Sequence, residues 1–572
     1  MKEFNLTDQR KEILAAIGHL LIEGGPGSGK TTISLLKAKK IIDSSVLKPN
    51  QKILFLSFAR ATISRVEDQS KDLFTIEDKR KVEINTYHGF TWSIIQSYGY
   101  LLSPHRNFKL ITPPNLSAKL ANIPPGVRND FKKSLLFYEG IICFDLFAET
   151  VATILEKSHK ICSIISDTYP YIIVDEFQDT DSNEWELIKL LGAKSNIIAL
   201  ADLEQRIYDF RGASLERIPE FVEHFEPKQF DLGTENNRSG NTDILEFGND
   251  LLLGSNIGKT YKDVKISKRG RSFDPKSFIR YAILDSIKRL KTTNGNKDWS
   301  IAVLVKSKQE TLDVSAYLSK QSKTVAPIFH EVLIDPAGPA LAASVIAQVL
   351  EPISNEEEDS RKLLLQIINH IKGRKNDKPS QNDLKLAEAL DKYLIKNKIT
   401  GSNRILLIDE IKSLVKLRSQ INFTGVPHID WVEILKLFGN SNHDVLKNIY
   451  EDSQYIKLLK KGTILNEKLS EIWKTKGQYY NAGKAVEESL TIEHFSMTQR
   501  KWNGIFVMTI HKSKGKEFNE VIIWDDEYRP IVSSRADEER IKKDRILLRV
   551  AFTRAMSKAT FLTPSYKSCI LI

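Results

Sequence analysis

The stretch His19–Thr32, HLLIEGGPGSGKTT, constrains the fold more than any other part of this 572-residue chain. A short apolar run feeds a glycine-rich loop, and a helical pattern follows from about Thr31 to Ala38. Gly24, Gly29, Lys30 and Thr31 fit G-x-x-x-x-G-K-[ST]. Glycines let such a loop curl so that backbone N–H groups point at phosphate oxygens. The helix behind it adds its positive N-terminal end. Lys30 is expected to reach the β- and γ-phosphates and Thr31 to ligate Mg²⁺. Gly25, Pro26, Gly27, Ser28, Gly29 and Thr32 complete the cradle. A chance glycine-rich turn would lack the strand before and the helix after. The implied cofactors are ATP and Mg²⁺.

A phosphate cradle of this kind needs a carboxylate for the metal. The stretch Tyr171–Asp181, YIIVDEFQDTD, supplies one where an apolar run meets Asp175, Glu176, Asp179 and Asp181. A solvated acidic loop needs no apolar lead-in. Asp175 is read as holding Mg²⁺ through water, and Glu176 as the general base that activates the attacking water.

Short apolar strands alternate with amphipathic helices in two regions. HLLIE, KILFLS, YIIVD and NIIALA make up the first, and SIAVLVK, GIFVMT, NEVIIW and KATFLT the second. Such alternation predicts parallel α/β sheets, hence two doubly wound domains. Each is interrupted by a mainly helical stretch, over residues 93–165 and 346–495. The net charge of +11 and pI near 9.1 favour a polyanionic partner. Three scattered cysteines show no metal or disulfide spacing and fit a reducing cytoplasm. The charged N-terminus does not read as a signal peptide, and no apolar stretch approaches the roughly 20 residues of a membrane helix.

With these pieces in place the chain resembles the UvrD/Rep/PcrA-type superfamily 1 DNA helicases. VDEFQDT is similar to their motif II, and the others follow in family order. They are NLTDQR (Q motif), LSFARAT (Ia), TYHGF (Ib), ADLEQRIYDFRGA (III), ENNRS (IV), MTIHKSKGKEF (V) and RVAFTRAMSKATFL (VI). The resemblance implies two RecA-like motors, at 1–92 with 166–240 and at 241–345 with 496–572. Helical insertions at 93–165 and 346–495 complete the expected domain plan. It implies ATP between the motors, with Gln9 reading adenine and Glu517 touching the ribose. Gln205 would sense the γ-phosphate, and Arg238 and Arg554 would be arginine fingers from the second motor. Single-stranded DNA would be stacked by Phe58, Tyr208 and Phe210, with Arg60, His88, Arg211 and His511 along the strand. Read without the family, Phe58 and Phe210 could equally be core residues, since large apolar side chains are usually buried.

The pattern has departures. Asn237 stands where the family carries the Tyr that stacks on adenine, which loosens the expectation for nucleotide choice. Ala201 replaces a Gly, Arg60 an Asn and Lys516 a Leu. Residues 259–291 hold eleven Lys or Arg against three Asp. That run reads either as a track for a phosphate backbone or as a solvated face.

The function expected is that of an ATP-dependent translocase moving 3' to 5' on single-stranded DNA and unwinding 3'-tailed duplex. The alternative is a nucleotide-hydrolysing regulatory subunit of an anti-phage complex such as Gabija, acting with a separate nuclease subunit and without processive unwinding.

Overall fold

The computed structural model describes residues 6–25, 27–57, 60–105, 107–202, 216–233, 241–294, 298–320, 326–333, 337–376, 379–454, 463–495 and 502–572. The chain divides into two compact units. Met1–Ser93, Ala148–Ile334 and Met497–Ile572 form the first, and Ile94–Phe147 with Asp335–Ser496 form the second.

The first unit holds two parallel sheets. Sheet one contains β1 (Leu20–Glu23), β2 (Ile53–Ser57) and β3 (Val82–Thr86). In the second unit β4 (Lys109–Leu110) and β5 (Ile141–Ile142) form a short pair. Sheet one continues with β6 (Tyr171–Val174), β7 (Asn196–Ala201) and β8 (Lys228–Asp231), in the order β3-β2-β6-β7-β1-β8. Sheet two is built from β9 (Val264–Arg269), β10 (Ser300–Val305), β11 (Glu331–Leu333), β12 (Gly504–Thr509), β13 (Phe518–Trp524) and β14 (Ala555–Pro564). Its order is β11-β12-β10-β13-β14-β9.

Strands buried on both faces read as near-continuous apolar runs. All of β2 and β10 is buried, for instance, in keeping with the sequences ILFLS and SIAVLV. Parallel neighbours require crossovers, and helices provide them. The helix Lys30–Asp43 carries the chain from β1 to β2, burying Ile33, Leu35, Ala38, Ile41 and Ile42. In open parallel sheets of this kind, ligands bind outside the C-terminal ends of the strands.

The second unit is mainly helical. One core joins the apolar faces of the helices Ala337–Leu350, Glu356–Gly373 and Pro427–Gly439, with Trp431, Phe438 and Tyr479 fully or almost fully buried. Buried Asp430 is satisfied by the Tyr479 hydroxyl at 2.6 Å and the Gly425 N–H at 2.9 Å. Helix Glu356–Gly373 also meets helix Pro113–Leu120 closely. A Cβ on Gly373 would sit 2.9 Å from the Pro114 carbonyl, so this approach needs glycine. No described helix is long and apolar enough to cross a membrane.

Candidate functional site

The loop after β1 curls tightly enough to require its glycines. A Cβ on Gly24 would lie 2.6 Å from Ser28 Oγ, and Gly27 and Gly29 take φ of +81° and +91°, a region that costs other residues strain. Helix Lys30–Asp43 begins directly afterwards, with Thr31 and Thr32 in its first turn. Lys30 Nζ donates to the carbonyls of Gly24 (2.5 Å) and Gly25 (3.0 Å) and lies 3.6 Å from the Asp202 carboxylate. The loop is braced from two sides. Arg10 Nη2 donates to the Ser28 carbonyl at 3.1 Å, and the Gly25 N–H donates to the Gly233 carbonyl at 3.1 Å. Gln9 Nε2 donates to the Asp231 carbonyl at 2.7 Å, tying the N-terminal helix Asp8–Ala15 to the end of β8. Pro26 lies outside the described residues.

Two strands away, β6 ends in the acids. The Asp175 N–H donates to the Leu56 carbonyl at 2.9 Å, and the residue is buried. Glu176 has φ 54° and ψ 40°, a left-handed conformation uncommon for a residue with a side chain. Strained backbone of this kind concentrates at functional sites. Gln178 Nε2 donates to Glu176 Oε2 at 2.6 Å, while Gln178 Oε1 accepts from the Asp202 N–H at 3.0 Å. Gln178 therefore ties the Glu176 carboxylate to the end of β7. Burial pushes the Glu176 pKa up, but Lys514, Lys30, the Gln178 hydrogen bond and Arg554 together pull it below its ordinary value. The balance of these effects favours the ionised carboxylate.

Two of those cations come from sheet two. Lys514 follows the short helix Ile510–Ser513 after β12, and its Nζ lies 2.9 and 2.6 Å from the two carboxylate oxygens of Asp179. Both side chains are about 5% exposed or less. Arg554 follows helix Glu538–Phe552 and is buried; its Nε donates to the Val550 carbonyl at 3.0 Å. Glu517 is half-buried and immediately precedes β13. The nearby Lys516 folds back to donate to the Lys512 carbonyl and lies 6.0 Å over the Trp502 ring.

His88 stands in the first turn of helix Tyr87–Tyr98, directly after β3, and His511 directly after β12. Both occupy C-terminal strand ends and are half-buried. Burial, then Arg540, lowers the His511 pKa. Arg60 opens helix Arg60–Leu73, but its side chain lies outside the description. Phe58, Gln205, Tyr208, Phe210, Arg211 and Arg238 fall outside the described residues.

Reading motifs from sequence missed Arg10, Gln178, Asp202 and Lys514, and singled out Asp179 among the strand-end acids without its partner. Asp179 and Lys514 sit inside the strings DEFQDT and HKSKGKEF, but nothing in either string says that the two meet. Gln178 had one signal, an amide two residues beyond a paired Asp-Glu.

The donor set bears on metal binding. Among the described residues no group of three or more His, Cys, Asp or Glu could hold a metal. A threonine hydroxyl and one buried carboxylate are instead the hard-oxygen pair that Mg²⁺ accepts when waters and phosphates complete its octahedron. Thr31 and Asp175 fit an ion that arrives with a nucleotide.

A phosphate loop and strained acid on one parallel sheet, faced by buried cations from another, define a P-loop NTPase with two RecA-like motors. Family comparison carries this further. The UvrD/REP helicase N-terminal domain model matches residues 6–139 and 138–226, and the UvrD-like helicase C-terminal domain model matches residues 439–565. The chain belongs to the UvrD/REP helicase family. It is 21% identical to "ATP-dependent DNA helicase PcrA" of Staphylococcus aureus (strain Mu50), over 96% of this chain and 82% of that protein. The Staphylococcus epidermidis protein of the same name is 22% identical, with the same coverage.

Proposed function

We propose that this helicase hydrolyses Mg²⁺-ATP between its two sheets to move 3' to 5' along single-stranded DNA, separating duplex ahead of it. The observation that carries the reading is the buried ion pair that joins Lys514 of sheet two to Asp179, three residues beyond Glu176 at the acidic end of sheet one. Bound ATP supplies the phosphoryl group, and its Mg²⁺ neutralises phosphate charge. Glu176 takes the proton of the attacking water. Lys30 and Arg554, with Arg238, balance the charge that spreads over the transferring group. Gln9 holds the adenine edge, Glu517 the ribose, and Gln205 links the γ-phosphate to the DNA strand. Thr31 and Asp175 orient the metal.

The DNA track is proposed to cross the C-terminal strand ends, where His88 and His511 stand. Stacking by Phe58, Tyr208 and Phe210 reads any base, at about 1–3 kcal/mol each, which suits a motor indifferent to sequence. Arg60 and Arg211 would meet backbone phosphates. The net charge of +11 supports a polyanionic track. PcrA, similar over nearly the whole chain, carries the activity in its name.

The test is ATP hydrolysis with and without single-stranded DNA, beside unwinding of 3'-tailed and 5'-tailed duplexes. Strong stimulation and a preference for the 3' tail are expected. Hydrolysis indifferent to DNA would end the motor reading. Stimulated hydrolysis without unwinding would favour the regulatory-subunit alternative.

A further inference from the structure

We propose that Arg549 is a further nucleotide-facing cation, carried by sheet two's last helix to the terminal phosphate of a bound nucleoside triphosphate. The inference rests on the nucleotide-binding reading above and names a residue to which none of the expected motif roles falls.

Arg549 lies on helix Glu538–Phe552 and is fully buried. A buried guanidinium is costly unless its charge is answered. One anchor is plain: Nη2 donates to Asn249 Oδ1 at 3.0 Å, across from helix Ile244–Leu253. The stem is held as well, because a Cβ on Gly248 would stand 3.2 Å from Arg549 Cγ. Gly248 and Asn249 thus fix where the side chain runs.

It runs to the phosphate loop. Nη2 lies 4.0 Å from where a Gly25 Cβ would be, and Gly25 belongs to sheet one. The Gly25 peptide is itself pinned by its N–H bond to the Gly233 carbonyl at 3.1 Å. Lys30 Nζ reaches the same stretch through the carbonyls of Gly24 and Gly25. One short piece of loop therefore has beside it an ammonium that follows its own sheet and a guanidinium carried by the other. Two cations beside one short loop favour a multiply charged anion. The planar fork of Arg suits a phosphate better than a lone ammonium does. Arg554, five residues on, acts on Glu176, so the end of one helix would deliver both charges when the sheets approach.

The discriminating measurement is binding of fluorescent ATP and ADP analogues to the full chain, with Mg²⁺, in wild type, Arg549→Gln, Arg549→Lys and Asn249→Ala. A charge-assisted contact to the terminal phosphate predicts that Arg549→Gln weakens the triphosphate roughly 10- to 100-fold and the diphosphate by less than about twofold. Arg549→Lys should recover part of that loss. Asn249→Ala, which removes one anchor of the guanidinium but not its charge, should cost the triphosphate a few-fold. A structural role would lower both affinities together and leave their ratio unchanged, which would overturn the proposal. If Arg549→Gln does not fold, an unchanged ratio in both Arg549→Lys and Asn249→Ala overturns it. Wild type that binds neither nucleotide would instead overturn the nucleotide reading itself.

Discussion

Sheet one ends β6 in Asp175 and Glu176 and β1 in a phosphate loop, while sheet two brings Lys514, Arg549 and Arg554. The frames are alike: parallel strands in both, with apolar centres and polar edges. The chemistry is split between them by sign. Sheet one carries the glycine-rich loop and the acids, and sheet two answers with positive charge. Glu176 shows why the split matters, since burial alone would push its carboxyl towards the neutral form. It is ionised because cations stand near it, and two of those belong to the other sheet. Under the proposed function, a base whose ionisation depends on cations of the other sheet would work only while the two sheets are together, which would couple hydrolysis to motion.

Removing the groups that sheet one supplies should have the largest effect. Glu176→Gln keeps shape and hydrogen bonding but not basicity, and general-base loss typically costs on the order of 10²–10⁴ in rate. Steady-state hydrolysis should fall by that amount while nucleotide binding persists. Lys30→Ala should lose both. A Glu176→Gln variant that retains a tenth of the wild-type rate would mean the base lies elsewhere.

The link between the sheets comes next. Lys514 and Asp179 form a buried pair, and removing one partner leaves an uncompensated buried charge worth about 3–5 kcal/mol. Lys514→Ala should lower the denaturant midpoint accordingly. The double variant Lys514→Met/Asp179→Leu should regain most of that stability and little of the hydrolysis. If it regains both, the pair is only a strut and sheet two's charge is dispensable.

The centres of both sheets were legible in the sequence and their edges were not. All eight apolar runs named in the sequence are inner strands, because a strand buried on both faces must be apolar throughout. The four outer strands read VEINT, KQFD, VKISKR and EVL. Each is polar or short because one side faces solvent, and edges are kept that way against mispairing. The basic run at 259–291 proves to include one of them, β9, and the helix Pro275–Asn294 behind it. The site divides in the same way. The phosphate loop and the Asp-Glu pair are local patterns. Contacts such as Lys514 with Asp179, 335 residues apart, exist only through the fold.

Gln178 sharpens the comparison from within sheet one. It joins Glu176 to the Asp202 N–H, and hydrogen bonds to charged groups contribute about 1.5–3 kcal/mol. Gln178→Ala should reduce kcat by roughly tenfold with little change in KM, as expected of a residue that orients the base without touching nucleotide. Equal losses in kcat and binding would show that it holds the loop instead.

The smallest effect is a displacement along the pH axis. Glu176 has a folded pKa below its ordinary 4.5. The stability this contributes is fully present above 4.5 and is lost as pH falls through the lower folded value. The acidic limb of the hydrolysis rate, followed after brief pH jumps, should accordingly lie below 4.5. Arg554→Gln and Lys514→Met each remove a cation that lowers it, so each should move the limb upward, and together further than either alone. A limb that stays in place in both variants would mean that Glu176 owes its ionisation to Lys30 and Gln178, and that the two sheets divide their chemistry less completely than their geometry indicates.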